Sequence, residues 1–162
     1  MTMIKHDITK LKKAGLNVDE MLAKLEGKHG DILRDTYENY EPNDDIIKRL
    51  EDIVNCHTFV VFSADWCKDC KKYVAEFAKI VKKKPSINAI FFKSIKSAPL
   101  DPDVRWRIPP SPPEVDEFDL RKIPTFYILN SSGEQVGEMI ENPKSKPTLA
   151  EELLFILENL QG

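Results

Sequence analysis

Apolar residues recur at helical spacing in the N-terminal part of the chain. Asn17 precedes the clearest of these stripes and is followed three residues later by Glu20, a variant of the capping box that begins helices. Gly27 and Gly30 should interrupt the pattern before a shorter helical segment that ends at Tyr40. Each predicted helix has one apolar face that must be buried against another element. The stripe after Asn17 consists of Val18, Met21, Leu22 and Leu25.

The pattern changes to a strand–helix–strand unit in the middle of the chain. The run Thr58-Phe59-Val60-Val61-Phe62 is apolar, β-branched and aromatic, which is typical of a buried strand. Helical spacing returns from Cys67 to Lys84 and stops at Pro85, and the segment from Ile87 to Lys93 is typical of a second strand. Two strands joined by a helix of this length should be parallel, with a right-handed crossover.

The C-terminal part of the chain predicts a hairpin and a last helix. Strands from Thr125 to Asn130 and from Gln135 to Ile140 are joined through Ser131-Ser132-Gly133-Glu134, a link short enough for antiparallel pairing. A short helix is expected from Glu114 to Arg121, and a capping box that starts at Thr148 begins the last helix. The element order predicts an α/β fold: a four-stranded mixed sheet with helices on both faces, plus an N-terminal helical extension.

Composition and charge exclude some of the functions that a protein with this fold could have. The chain has 162 residues with 24 Lys and Arg against 27 Asp and Glu, so its net charge of −3 excludes a polybasic nucleic-acid binder. No apolar run approaches the roughly 18 residues of a membrane span. An odd count of three cysteines, and a start without the layout of a signal peptide, favour a reducing compartment. We therefore expect a cytoplasmic protein with neither nucleic-acid nor membrane partners.

A proline-rich segment separates the two halves of the predicted sheet. Six of the 11 prolines lie between residues 97 and 113, a density that neither a helix nor a sheet ladder tolerates. We interpret this segment as a long, stiff loop in which Trp106 is an anchor. A polyproline ligand for another domain is the alternative interpretation.

The candidate chemistry lies where the first predicted strand meets its helix. Cys67 and Cys70 form a C-x-x-C pair at this junction, and that context favours a redox motif. Cys67 would lie at the helix N-terminus, where unpaired backbone N–H groups and the helix dipole favour the thiolate. Cys70 follows one turn later, close enough to attack a mixed disulfide on Cys67. These positions predict that Cys67 is the nucleophile and Cys70 the resolving thiol.

These residues resemble the thioredoxin superfamily. The resemblance is carried by Trp66-Cys67-Lys68-Asp69-Cys70 after an apolar strand and by Ile123-Pro124-Thr125 at the start of the hairpin. It covers residues 42–162, which implies a thioredoxin-like domain over that range and leaves residues 1–41 as a helical extension. The form Trp-Cys-x-Asp-Cys is similar to that of the thioredoxin-related proteins.

The resemblance also implies where a substrate binds. In the superfamily the proline before the third strand is cis, lies beside the redox pair and has neighbouring backbone that docks the substrate chain. This role falls on Pro124, with Ile123 preceding it. We also expect Trp66, directly before Cys67, to face the substrate.

Two departures from the family pattern concern the redox pair itself. Most thioredoxins have Gly-Pro between the cysteines, whereas this chain has Lys68 and Asp69. We expect Lys68 to stabilise the Cys67 thiolate and Asp69 to oppose it. Thioredoxins also have a buried Asp in the preceding strand that is thought to accept the proton of the resolving cysteine, and counting back places Val61 at that position.

The motif therefore predicts a protein-disulfide reductase that takes part in cell redox homeostasis. Cys67 and Cys70 would carry two electrons without a bound cofactor. The expected partners are disulfide-containing proteins and an upstream reductase. One alternative is a thioredoxin-fold adaptor that recruits a partner through residues 1–41, with incidental redox activity.

A metal site is a third interpretation of the C-x-x-C pair. A structural zinc ion needs four ligands, and the chain has only Cys56, His6, His29 and His57 to add to the pair. No second C-x-x-C is present, and the spacing of these residues does not match a zinc motif. We interpret Cys56 as a small buried hydrophobic residue and not as a third redox thiol.

Overall fold

The structure is a computed structural model and describes residues 4–93, 95 and 114–160. The predicted proline-rich loop of residues 97–113, with Trp106, lies outside these residues. The helices are α1 (Ile8–Ala14), α2 (Val18–Ala23), α3 (Gly27–Asn39), α4 (Asp44–Val54), α5 (Lys68–Lys83), α6 (Glu114–Glu117) and α7 (Leu149–Glu158). The strands are β1 (Thr58–Phe62), β2 (Asn88–Phe92), β3 (Thr125–Leu129) and β4 (Gln135–Ile140).

The four strands form one mixed sheet in the order β2-β1-β3-β4. Strand β1 pairs in parallel with β2 and antiparallel with β3, and β3 pairs antiparallel with β4. The two central strands, β1 and β3, are buried along their whole length because helices cover the sheet. The predicted four-stranded mixed sheet and its hairpin are thus confirmed.

The N-terminal helices pack against the rest of the fold through their apolar faces. Leu11 and Met21 are 1% and 2% exposed and belong to the same buried cluster as the sheet residues. Leu16 exchanges two backbone hydrogen bonds with Phe91 at the outer edge of β2, at 2.7 and 2.8 Å. The chain before α4 therefore covers part of one sheet edge. The division into residues 1–41 and 42–162 stays a prediction.

Two sequence-based helix boundaries were wrong. Gly30 lies inside α3 and does not interrupt it. A Cβ at this position would stand 3.0 Å from the backbone of Leu25, so a larger residue would have to displace that neighbour by a few tenths of an ångström. The short helix α6 ends at Glu117 and not at Arg121. Asp119 adopts a positive φ of 51°, which a helix cannot continue through.

Candidate redox site

The redox pair begins helix α5. Cys67 is the N-cap residue, with an extended backbone, and its Sγ accepts a hydrogen bond from the backbone N–H of Cys70 at 3.3 Å. A thiol thus takes the capping position that Ser, Thr, Asp or Asn usually occupies. Both cysteines are free thiols in this structure. The backbone donors of the first helical turn are directed at the sulfur predicted to be the nucleophile.

The surroundings of Cys67 favour its ionised form. Its pKa is lowered from 9.0 to about 7, first because the Cys70 thiol donates a hydrogen bond to the sulfur. Burial acts in the opposite direction, and the backbone N–H groups of Cys70 and Asp69 lower the pKa further. The carboxylate of Asp69 raises it, which is the direction predicted for this residue. At neutral pH a large fraction of Cys67 is therefore thiolate.

Cys70 has the opposite character. Its side chain is fully buried, and burial raises its pKa far above that of an ordinary thiol. The hydrogen bond that it donates to Cys67 and the negative charge of that thiolate act in the same direction. Cys70 therefore stays protonated while Cys67 ionises, so the two thiols differ in the way that a nucleophile and a resolving thiol require.

A distant segment completes the site. The Ile123–Pro124 peptide bond is cis, and Cys67 Sγ lies 3.7 Å from the carbonyl oxygen of Ile123, 56 residues away along the chain. The carbonyl oxygen of Pro124 accepts the backbone N–H of Glu141 at 2.7 Å, which joins this turn to the end of β4. The fold thus brings the C-x-x-C pair and the cis Pro124 turn together, as the resemblance implied.

A family model described as thioredoxin matches residues 15–97, about half of the chain, including α2, α5 and the C-x-x-C pair. This chain belongs to the thioredoxin family. A comparison with curated proteins finds no match.

Two solved structures share the fold of this thioredoxin-family protein. A Pseudomonas aeruginosa protein of unknown function is 14% identical with a TM-score of 0.69, and the alignment covers 94% of this chain and 98% of that chain. An HIV epitope-scaffold protein is 15% identical with a TM-score of 0.67 and the same coverage. At these identities the likeness shows the fold alone.

Trp66 stands at the solvent side of the site. Its side chain is 47% exposed, and its indole N–H donates to the carbonyl oxygen of Ile95 at 3.3 Å. The hydrogen bond holds the ring against the segment after β2 while much of its surface stays open to solvent beside Cys67. Lys68 is also exposed, whereas Asp69 is half-buried.

The sequence analysis missed an ion pair behind the motif. Lys93 Nζ lies 3.0 Å from Asp65 Oδ2, and these side chains are only 11% and 25% exposed. The same ammonium group donates to the carbonyl oxygen of Lys24 at the end of α2, at 2.9 Å. Lys93 thus links the N-terminal helices to the loop before Cys67. Strands β1 and β2 are parallel, so their carboxyl ends lie at the same edge of the sheet. Asp65 follows β1 and Lys93 follows β2, so their proximity could have been expected from the sequence.

The prediction for Cys56 was wrong. This cysteine is exposed, and its thiol makes a long contact of 3.7 Å with the Asn55 side-chain oxygen. The general tendency of free cysteines to be buried suggested burial, but the turn after α4 leaves this side chain exposed.

Neither a metal site nor a membrane-spanning helix is found among the described residues. No group of three or more His, Cys, Asp or Glu side chains in the described ranges is arranged to hold a metal ion. Of the helices in residues 4–93 and 114–160, none has the length and apolar character needed to cross a membrane.

Proposed function

We propose that this thioredoxin-family protein is a thiol–disulfide oxidoreductase that reduces disulfides in other proteins. One observation carries the proposal. The sulfur of Cys67 caps α5, receives hydrogen bonds from Cys70 and contacts the Ile123 carbonyl beside cis Pro124. A substrate chain lying along this turn would present its disulfide to an ionised nucleophile with a protonated thiol behind it.

The proposed exchange proceeds in two steps. The Cys67 thiolate attacks one sulfur of the substrate disulfide, which forms a mixed disulfide and releases one substrate thiolate. Cys70 then attacks the Cys67 sulfur, releases the second substrate thiol and closes the Cys67–Cys70 disulfide. Over both steps the substrate gains two electrons and two protons. The protein dithiol supplies both electrons and the proton of Cys70, and solvent supplies the other proton, which replaces the one that Cys67 released on ionising. Neither step needs a bound cofactor.

Substrate binding would use the groups around Cys67. Trp66 offers an exposed aromatic surface next to the nucleophile, and Ile123 with Pro124 offers the backbone of a fixed turn. A second protein, an upstream reductase, would return the electrons to the Cys67–Cys70 disulfide. The proposal places this cycle in the cytoplasm, where a dithiol is kept reduced.

The adaptor alternative has less support from the packing. Recruitment through residues 1–41 needs an apolar surface, and the residues of these helices that could form one are turned inward. Leu11, Met21, Leu22 and Leu33 are all less than a tenth exposed. Ile32 of α3, which is 40% exposed, is the largest apolar side chain that these helices present to solvent within the described residues.

Covalent trapping tests the proposal against both alternatives. The Cys70→Ser variant retains the nucleophile but cannot resolve a mixed disulfide, so client proteins should accumulate on Cys67 as adducts that added reductant releases. The matched Cys67→Ser variant should trap little, because Cys70 is buried and protonated. Equal trapping by both variants, or trapping by neither, would contradict the proposal. An adaptor would retain partners without a covalent link, and a metal protein would lose metal in both variants.

A further inference from the structure

Three ion pairs on the segments that build the redox site each have no net charge. Each joins one basic and one acidic side chain with a distance of 3.0 Å between nitrogen and oxygen. Since each pair is neutral, none of them sets the sign of the charge near Cys67. The pairs are Lys93–Asp65, Arg121–Asp119 and Lys122–Glu141.

The charge that remains lies on the first two turns of α5. Lys68, Lys71 and Lys72 follow Cys67 closely, and none of them forms an ion pair with another residue of the described ranges. Positions i, i+3 and i+4 share one face of a helix, so the three ammonium groups form one surface, which we call the lysine patch. Lys68 and Lys72 are exposed and Lys71 is half-buried.

The lysine patch gives the site a sign opposite to that of the whole protein. Its three positive charges exceed the two negative charges on the same stretch of α5, those of Asp69 and of Glu76, whose carboxylate interacts with Lys72, whereas the chain carries a net charge of −3. The patch also coincides with the N-terminus of a 16-residue helix, the positive end of its dipole.

We propose that the lysine patch makes this protein selective for disulfides whose cysteines are flanked by acidic residues. The inference rests on the proposed function and names its substrate class. An acidic client is drawn toward the end of α5 where Cys67 reacts, and a basic client is repelled there. Electrostatic complementarity of this kind acts mainly on the rate of association and weakens as salt screens it.

The test compares two peptides in single-turnover reduction. Each peptide is closed by one internal disulfide, and they differ only in whether glutamate or lysine flanks the cysteines. Pre-reduced full-length protein is mixed with each peptide, and the second-order rate constant is measured by acid quench and chromatography. We expect the acidic peptide to react about 3- to 10-fold faster at about 20 mM salt, and the ratio to approach one at about 0.5 M.

Two charge-matched variants locate the effect. Lys68→Gln/Lys71→Gln/Lys72→Gln should lower the acidic-to-basic rate ratio severalfold. The control Lys12→Gln/Lys13→Gln/Lys28→Gln removes the same number of positive charges from the N-terminal helices and should leave the ratio unchanged. A ratio of two rate constants cancels any change in the intrinsic reactivity of Cys67, which the loss of Lys68 could cause.

The outcomes separate this inference from the proposed function. Equal rates for both peptides, a ratio that does not depend on salt, or an equal loss of the ratio in both triple variants would overturn the selectivity while exchange itself continues. Reaction with neither peptide would overturn the proposed function and the selectivity together.

Discussion

Cys56 and Cys67 lie on either side of strand β1, the first after the C-terminus of one helix and the second at the N-terminus of the next. Cys56 lies just beyond the C-terminus of α4, where unpaired carbonyl groups and the negative end of the dipole are found, whereas Cys67 caps the N-terminus of α5. The helix end beside Cys67 thus offers backbone N–H groups that could stabilise a thiolate, whereas the helix end beside Cys56 does not. The backbone, more than the residue type, decides which thiol is reactive.

Tertiary contacts widen this difference. Cys67 is 9% exposed and contacts Cys70 and the turn before cis Pro124. Cys56 is exposed, and the one hydrogen-bond contact of its thiol among the described residues is with the side-chain oxygen of its neighbour Asn55. An exposed thiol without donors is open to chemical modification but has no arrangement that would favour exchange with a substrate.

Serine substitutions of Cys67 and Cys56 should show the largest difference in the rate of disulfide reduction. Cys67→Ser removes the nucleophile, and we expect single-turnover reduction of a protein disulfide to fall by at least ~10³-fold. Cys56→Ser should leave the rate within about twofold of that of the unmodified protein, because the side chain is outside the site. Stopped-flow measurement of both variants checks this, and comparable losses would show that Cys56 takes part in exchange.

Val61→Asp tests whether a buried acid in β1, the strand between Cys56 and Cys67, would assist Cys70. A carboxyl group at this fully buried position should destabilise the fold by about 2–4 kcal/mol, because a buried carboxylate loses its hydration. If deprotonation of Cys70 limits resolution, the same change should speed the second step of exchange. Urea denaturation gives the first effect and the decay of a preformed Cys67 mixed disulfide gives the second. A Val61→Asn control separates the loss of packing from the effect of the acid, and an unchanged decay would show that another group takes the proton.

The pH dependence of alkylation should distinguish the two thiols. With a pKa of about 7, Cys67 should lose reactivity as the pH falls, with a decrease of roughly fivefold from pH 7 to pH 6. Cys70→Ala removes the hydrogen bond that contributes most to this lowering, so the Cys67 pKa should rise toward 9.0. Iodoacetamide rates with mass mapping measure each site. A Cys67 profile that Cys70→Ala leaves unchanged would show that the helix backbone alone lowers the pKa.

Asn55→Gly, beside Cys56 at the end of α4, should give the smallest effect, a small change in stability. Asn55 has φ of 46° and ψ of −121°, a backbone conformation that glycine adopts more easily than asparagine. We expect stabilisation of about 1 kcal/mol in thermal unfolding and no change in the rate of alkylation at Cys67. A destabilised variant would show that the asparagine side chain matters more than the backbone strain.

Local patterns predicted most of the elements that build the site. Asn17 with Glu20 and Thr148 with Glu151 form the helix caps expected from their spacing, and the apolar run of β1 is fully buried. These predictions succeeded because the interactions join residues within one helical turn or one strand. Gly30 shows the limit, since glycine has a low helix propensity and yet this residue lies inside α3.

The sequence by itself determined the element order, the mixed sheet and the position of Cys67 at a helix N-terminus, because short-range hydrogen bonding and the period of apolar residues encode them. Only the tertiary structure decided that Cys67 Sγ lies against the carbonyl oxygen of Ile123, that Lys93 also reaches the carbonyl oxygen of Lys24 at the end of α2, and that Cys56 is exposed. The first two contacts join segments far apart in the chain. They arise from the register of neighbouring strands and from the packing of helices on the sheet, which no local pattern of residues specifies.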